Sequence, residues 1–410
     1  MKNKLSTIVN YANLFSALLL TATSIYYYPV QKIAFILFFS TYLLEIFLDK
    51  KWENIHLDKK SVYYMIMAFF FMLVFIYFPF EESSKYFSRL SVKRLSILGF
   101  AIVGFLGVND KFRLNYFLNT FIISSFIAIA YLILIRIGIL EFLTNPMRIE
   151  AFTNERILHV NSHMAFDFYL NVSLISIWYI LTRSWSRTIW WKTYLYLGAL
   201  TLIFSTLSLS EGRSGFIVAI LLMLSFIFIE IWKRRKMMGI IIGFLIPFLL
   251  IGIVSQHKRM SEKSLEAEPR IFLWESALSV IKESPVLGHG ISDAQEHFDI
   301  ARTKFQTEDF RINWKTHKLL DSHNQYLQTT MEFGVAGLLI LIFLYSYPVF
   351  IMDKNRQVFS VLLLFLCAYQ SFFDMFITGQ FSGLFGIIII LILSVKNNIV
   401  PKTAEEMLTD

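Results

Sequence analysis

Residues 214–236 read SGFIVAILLMLSFIFIEIWKRRK, an apolar stretch of helical length closed by Lys233, Arg234, Arg235 and Lys236. A helix rises about 1.5 Å per residue and needs roughly 20 apolar residues to cross a hydrocarbon core of about 30 Å. A basic cluster at its end marks a cytoplasmic boundary. The same pattern recurs along the chain, near 10–28, 30–48, 62–80, 91–108, 114–139, 164–182, 190–209, 237–254, 323–351, 357–377 and 381–395. The sequence thus predicts an all-α polytopic membrane protein of about twelve spans with both termini cytoplasmic. Composition agrees: 56% of the 410 residues are hydrophobic and 17% charged, too few charges to coat a soluble globule of this length.

Three regions follow: spans one to nine in 1–254, a hydrophilic loop at 255–322, and spans ten to twelve with a cytoplasmic tail in 323–410. Lys2 and Lys4 precede the first apolar run as in a signal peptide, but the run lacks a small-x-small cleavage site and is read as a retained helix. Cys367 is the single cysteine, so no disulfide forms within the chain. Lys85, Arg89, Lys93 and Arg94 fall on the outer side, against the charge rule. They read as snorkelling basic residues of an interfacial helix, or as an anion-attracting rim. The loop balances ten Lys and Arg with eleven Asp and Glu. Within it Ile271, Trp274, Ala277, Leu278 and Ile281 recur at helical spacing after Pro269, and Pro285, Gly288 and Gly290 mark a turn. The pattern predicts a small external lid of about two short helices.

All histidines except His56 fall on the outer side, and so does the candidate chemistry. In D-S-H-N-Q-Y-L-Q-T-T-M-E-F-G-V-A-G, residues 321–337, Asp321 or Ser322 can cap a helix and leave His323 at the membrane surface. There it is either a proton acceptor or an interfacial cap. Glu332, nine residues further in, is a site residue or a hydrogen-bonded carboxyl that orients neighbouring helices. Gly334 and Gly337, three apart, suit close helix packing. Arg213 in S-E-G-R-S-G and Arg270 after Pro269 each offer a guanidinium fork that fits a diphosphate, with a solvated surface role as the plain alternative. His159, Asn161, His163 and Asp167 cluster at the start of the sixth span. They suit a polar cavity wall better than a zinc site, because no second ligand pair follows at metal-site spacing. Gly288-His289-Gly290 lacks the strand, helix and lysine of a phosphate loop.

Together, SEGRSG at 210–215, PRIFLWESAL through SPVLGHG at 269–290, and SHN followed by EFGVAG at 322–337 resemble the O-antigen ligase family, which includes related O-antigen polymerases and some protein oligosaccharyltransferases. The likeness covers about residues 205 to 340. It implies a C-type glycosyltransferase fold acting at the periplasmic face of the bacterial inner membrane, without metal or other cofactor. The implied donor is a glycan on undecaprenyl pyrophosphate, passed to lipid A-core by a ligase or to a second lipid-linked unit by a polymerase. By similarity Arg213 and Arg270 grip the pyrophosphate and His323 is the general base. Asn324, His289, Glu332 and His163 are the further substrate-side candidates. A non-enzymatic flippase for the same lipid-linked sugar is the contrasting class. It would place polar residues at mid-span in an inverted repeat, and no repeat is visible here.

Overall fold

The computed structural model describes residues 2–25, 28–82, 85–136, 163–184, 190–209, 213–238, 240–241, 243, 269–305, 321–378 and 381–395. These are overwhelmingly α-helical, with no strand among them. The main helices are α1 (Lys2–Thr23), α2 (Tyr28–Asp49), α3 (Lys59–Tyr77), α4 (Phe87–Leu106), α5 (Leu114–Arg136), α6 (His163–Ser184) and α7 (Trp190–Leu209). They continue as α8 (Arg213–Arg234), α9 (Pro269–Glu283), α10 (Ile291–Phe305), α11 (Gln325–Ser346), α12 (Gln357–Gln370) and α13 (Ser382–Leu393).

Seven helices, α1, α2, α3, α5, α6, α8 and α11, are long and apolar enough to cross a membrane. This is a multi-pass membrane protein by that measure, but the expected twelve crossings are not reached among the described residues. Helix α4 carries Arg89, Lys93 and Arg94 in its first half, and α12 and α13 are only 14 and 12 residues long. Most of the ninth expected span, 237–254, lies outside the described residues. Helix α1 also starts earlier than hydropathy indicates, because the helix runs through the polar Lys2–Ser6 stretch that an apolar-run reading discards.

Two helices form the interior. Almost all of Met164–Arg183 in α6 is buried, packed by α5, α7, α8 and α12. Every residue of α13 is buried, against α4 and α12. The interface with α4 is tight because Gly386 lets the Phe100 ring close onto the α13 backbone. Outer helices leave Phe15, Ile33, Ile36, Leu43 and Phe47 exposed, the apolar surface that a lipid solvent accepts.

The lid is the pair α9 and α10, packed on each other and on α11. Its core joins Phe272, Leu273, Ala277, Val280, Ala294 and Phe298 to Met331 of α11. Two helices were expected and two form; of the apolar residues at helical spacing Ala277 is buried and Trp274 and Ile281 pack on the core, while Ile271 and Leu278 are 45% and 47% exposed and Phe272, Leu273 and Ser276 turn inward. The buried stripe is therefore rotated slightly from the apolar spacing, as tertiary packing takes in the neighbouring apolar positions. The lid is also pinned to the start of α4, where the Glu82 and Tyr86 backbone N–H groups donate to Asp293 Oδ2 (2.6 Å) and Ser292 Oγ (3.1 Å).

Lid and bundle interlock at a break in α11. Gly334 takes φ 62° and ψ −160°, so the helical ladder stops there. The carbonyls of Met331 and Glu332 accept instead from the N–H groups of His289 (2.9 Å) and Gly290 (2.8 Å), and Val335 N–H donates to the Pro285 carbonyl (3.0 Å). Gly334 is therefore a break point, and it does not share a continuous helical face with Gly337 as the spacing suggested. The SPVLGHG and EFGVAG segments are two halves of one backbone joint, which explains the need for glycine at both 288 and 334: a Cβ on either would run into backbone of the other.

Candidate functional site

The site is assembled where several helix starts meet. Asn324, in extended conformation, is the N-cap of α11: its Oδ1 accepts from Tyr326 N–H (3.0 Å) and Leu327 N–H (3.1 Å). The cap is thus Asn324, three residues after Asp321 and two after Ser322, the expected caps, and its Oδ1 is committed to the backbone. Asp321 instead accepts from the His323 N–H (3.1 Å), while Ser322 Oγ donates to the Asn324 carbonyl (2.9 Å). His323 is held between them at φ 46°, a conformation uncommon outside glycine and concentrated at functional turns.

The imidazole sits between two carboxylates. Its Nδ1 lies 3.4 Å from Asp321 Oδ1 and 3.8 Å from Asp374 Oδ1, with the side chain 29% exposed. Burial works to lower the imidazole pKa and Arg270 adds to that, but Asp374 and Asp321 outweigh both and hold it above the ordinary 6.5. Asp374 belongs to residues 371–378, which turn back at the end of α12 where the sequence pattern predicted helix to 377. Gln325 ties the two turns together. Its backbone N–H donates to the Ser371 carbonyl (2.8 Å), and its Oε1 accepts from Ile377 N–H, Thr378 N–H and Thr378 Oγ1 at 3.0 to 3.1 Å.

Arg270, second residue of α9, completes this end of the bundle. Its guanidinium reaches Met164 Sδ of α6 (3.3 Å) and lies over the Phe373 ring (5.8 Å), in the turn that carries Asp374, close enough to His323 to act on its charge. Arg213 opens α8, two residues before Gly215, whose bare Cα abuts Asp167 of α6. Asn171 of α6 donates to the Gly215 carbonyl (3.0 Å) and fixes that contact. The start of α6 thus meets that of α9 through Met164 and Arg270 and that of α8 through Asp167 and Gly215, and helix starts carry partial positive charge. His163 is the first residue of α6, and its side chain and that of Arg213 lie outside the described residues, as do His159 and Asn161.

Two other candidates belong elsewhere. Glu332 is fully buried in an ion pair with Arg94 of α4 (2.6 Å) and accepts from Gln328 Nε2 (2.9 Å). Of its two readings, these contacts support the carboxyl that orients neighbouring helices. Arg94, only 3% exposed, is likewise no snorkelling residue; its neighbour Lys93 is exposed as expected. His289 contacts lid residues, its Nε2 3.2 Å from the Val280 carbonyl and its ring 4.5 Å from that of His297 at a tilt of 31°. Asp374 and Gln325 were missed by the sequence reading. A signal existed for Asp374, the lone acid of residues 357–395, since a carboxylate in an apolar run needs a reason; assigning it to a helix hid that reason.

Comparison with known proteins follows the same segments. Residues 197–342 match the family model of the O-antigen ligase. The chain is 27% identical over 191 residues to a protein of Rickettsia conorii named as a polysaccharide ligase, covering 44% of each chain. A Rickettsia typhi protein with the same kind of name is 28% identical over 185 residues, 43% of this chain and 44% of its own. An uncharacterised protein of Haemophilus influenzae is 37% identical over 86 residues, 21% of this chain and 20% of its own. The matches span less than half the length of these relatives.

Proposed function

We infer that this chain, whose residues 197–342 belong to the O-antigen ligase family, transfers a glycan from a polyprenyl diphosphate, undecaprenyl pyrophosphate in bacteria, to an acceptor hydroxyl at the periplasmic face of the inner membrane. Lipid A-core is the acceptor favoured by this reading. The observation that carries it is the meeting of the His323 imidazole, flanked by Asp321 and Asp374, with the Arg270 guanidinium at one end of the bundle.

His323 takes the proton of the acceptor hydroxyl, and Asp374 steadies the imidazolium that forms. The hydroxyl oxygen attacks the anomeric carbon from the side opposite the diphosphate. The bond from that carbon to the diphosphate oxygen breaks, and its electron pair leaves with the diphosphate. A single displacement of this kind inverts the anomeric centre. Arg270 and Arg213 receive the developing negative charge through charge-assisted hydrogen bonds, and fixed cations aimed at such charge commonly supply the largest part of catalysis. A diphosphate departs without protonation, so the chemistry asks for no separate acid and none of the residues is assigned that role.

The test is a His323→Ala chromosomal variant examined by lipopolysaccharide gel. The expected outcome is a membrane-inserted protein with no O-chain rungs and accumulated lipid-linked glycan. Full laddering by the variant would remove His323 from the mechanism. Cores bearing a single repeat unit would shift the assignment from ligase to polymerase.

A further inference from the structure

We propose that Glu283, His289 and His297 of the lid form a binding site for a divalent transition cation, with zinc the best fit. One potential ligand atom from each of the three lies within 4.8 Å of the others. They come from three separate pieces of chain: the last residue of α9, the connecting segment 284–290, and the middle of α10. Convergence of this kind is distinct from a run of acidic residues along one surface. His297 Nδ1 and Glu283 Oε2 are already paired at 2.8 Å, and the His289 and His297 ring centres are 4.5 Å apart at a tilt of 31°.

The chemistry of His289 points the same way. Its Nε2 lies 3.2 Å from the Val280 carbonyl oxygen, which can only accept, so Nε2 carries the proton and Nδ1 keeps its lone pair. A backbone carbonyl holding the non-coordinating nitrogen is the usual support of a metal-bound histidine, since it fixes both tautomer and ring orientation. Two imidazoles and one carboxylate suit zinc, whose three-ligand sites complete a tetrahedron with water; magnesium prefers an all-oxygen shell. A cavity of about 670 Å³ lined by His289, His297, Asp293 and Glu82 adjoins the cluster and has room for that water. Glu283 and His297 side chains are 54% and 43% exposed, so both can turn the short way needed to close onto an ion.

A cation here would fasten the end of α9 to α10 across the very segment whose His289 and Gly290 N–H groups complete the broken α11. The site therefore acts on how firmly the lid is seated, and it stands independently of the glycan-transfer reading. The experiment uses the full chain purified in detergent without a histidine tag, titrated calorimetrically with zinc chloride and separately with magnesium chloride. One equivalent of zinc is expected with micromolar affinity, with no magnesium binding. Glu283→Gln and His297→Ala should each weaken zinc by at least about tenfold, and zinc should raise the thermal midpoint of the parent alone. Both substitutions are at exposed positions, and elution as the parent species in size exclusion confirms that the variants are folded. Unchanged zinc affinity in both variants, or no saturable binding below about 1 mM, overturns the site.

Discussion

Replacing Gly334 by alanine tests the joint between lid and bundle most directly. At φ 62° and ψ −160° the residue occupies backbone space that is essentially reserved for glycine, and a side chain there costs about 1–3 kcal/mol. The new methyl would also press into the Val286 carbonyl. That neighbour is backbone, so no rotamer change relieves the clash and the two segments must part. Parting them breaks three backbone hydrogen bonds, from His289 to Met331, Gly290 to Glu332 and Val335 to Pro285. Each is worth about 0.5–1.5 kcal/mol net, giving about 2.5–7.5 kcal/mol in all, a large part of a typical folding free energy. The assay is thermal unfolding of the detergent-purified protein followed by tryptophan fluorescence, with a drop of at least about 5 °C expected. Gly198→Ala is the control, because a Cβ there meets nothing within 4 Å, and it should leave the midpoint near the parent or slightly above it. Equal midpoints for Gly334→Ala and the parent would refute the idea that the joint holds the fold.

Asp374→Asn removes a carboxylate that raises the His323 pKa. A general base works only when neutral, so transfer by the parent rises with pH through a folded-state pKa above 6.5, and in the variant that rise should move to lower pH with a reduced plateau; a pH–rate profile that keeps its position sinks the pairing. Glu332→Gln strands the buried Arg94 charge and should cost about 3–5 kcal/mol, whereas Arg94→Met combined with Glu332→Leu should recover most of the lost thermal midpoint. A neutral single substitution would show the pair to be energetically idle.

The sequence revealed the solvent, the helical class and the lid because each is a property of many residues at once: apolar runs of helical length, basic ends, and one long hydrophilic stretch. It also brought forward Arg270 and His323, which the fold places at the same end of the bundle. What it did not reveal depends on a partner far along the chain. Glu332 became a structural residue only through Arg94, 238 positions away, and no local pattern announces that meeting. Asn324, rather than its two polar predecessors, became the cap because His323 adopts a positive φ and delays the helix start. Asp374 was concealed by hydropathy, which runs α12 and the following turn together; Gln325, reaching across from α11, holds residues 377 and 378 of that turn.

The broken helix also bears on how the chain is made. Residues 285–290 leave the ribosome before 331–335, and the carbonyls at 331 and 332 find their donors only in that earlier segment. Backbone groups without partners are costly away from water, so α11 is fully partnered only once the lid segment lies beside it. The lid is thus an assembly partner of α11: held away from the bundle, it would leave the carbonyls of Met331 and Glu332 without the donors they find in residues 289 and 290.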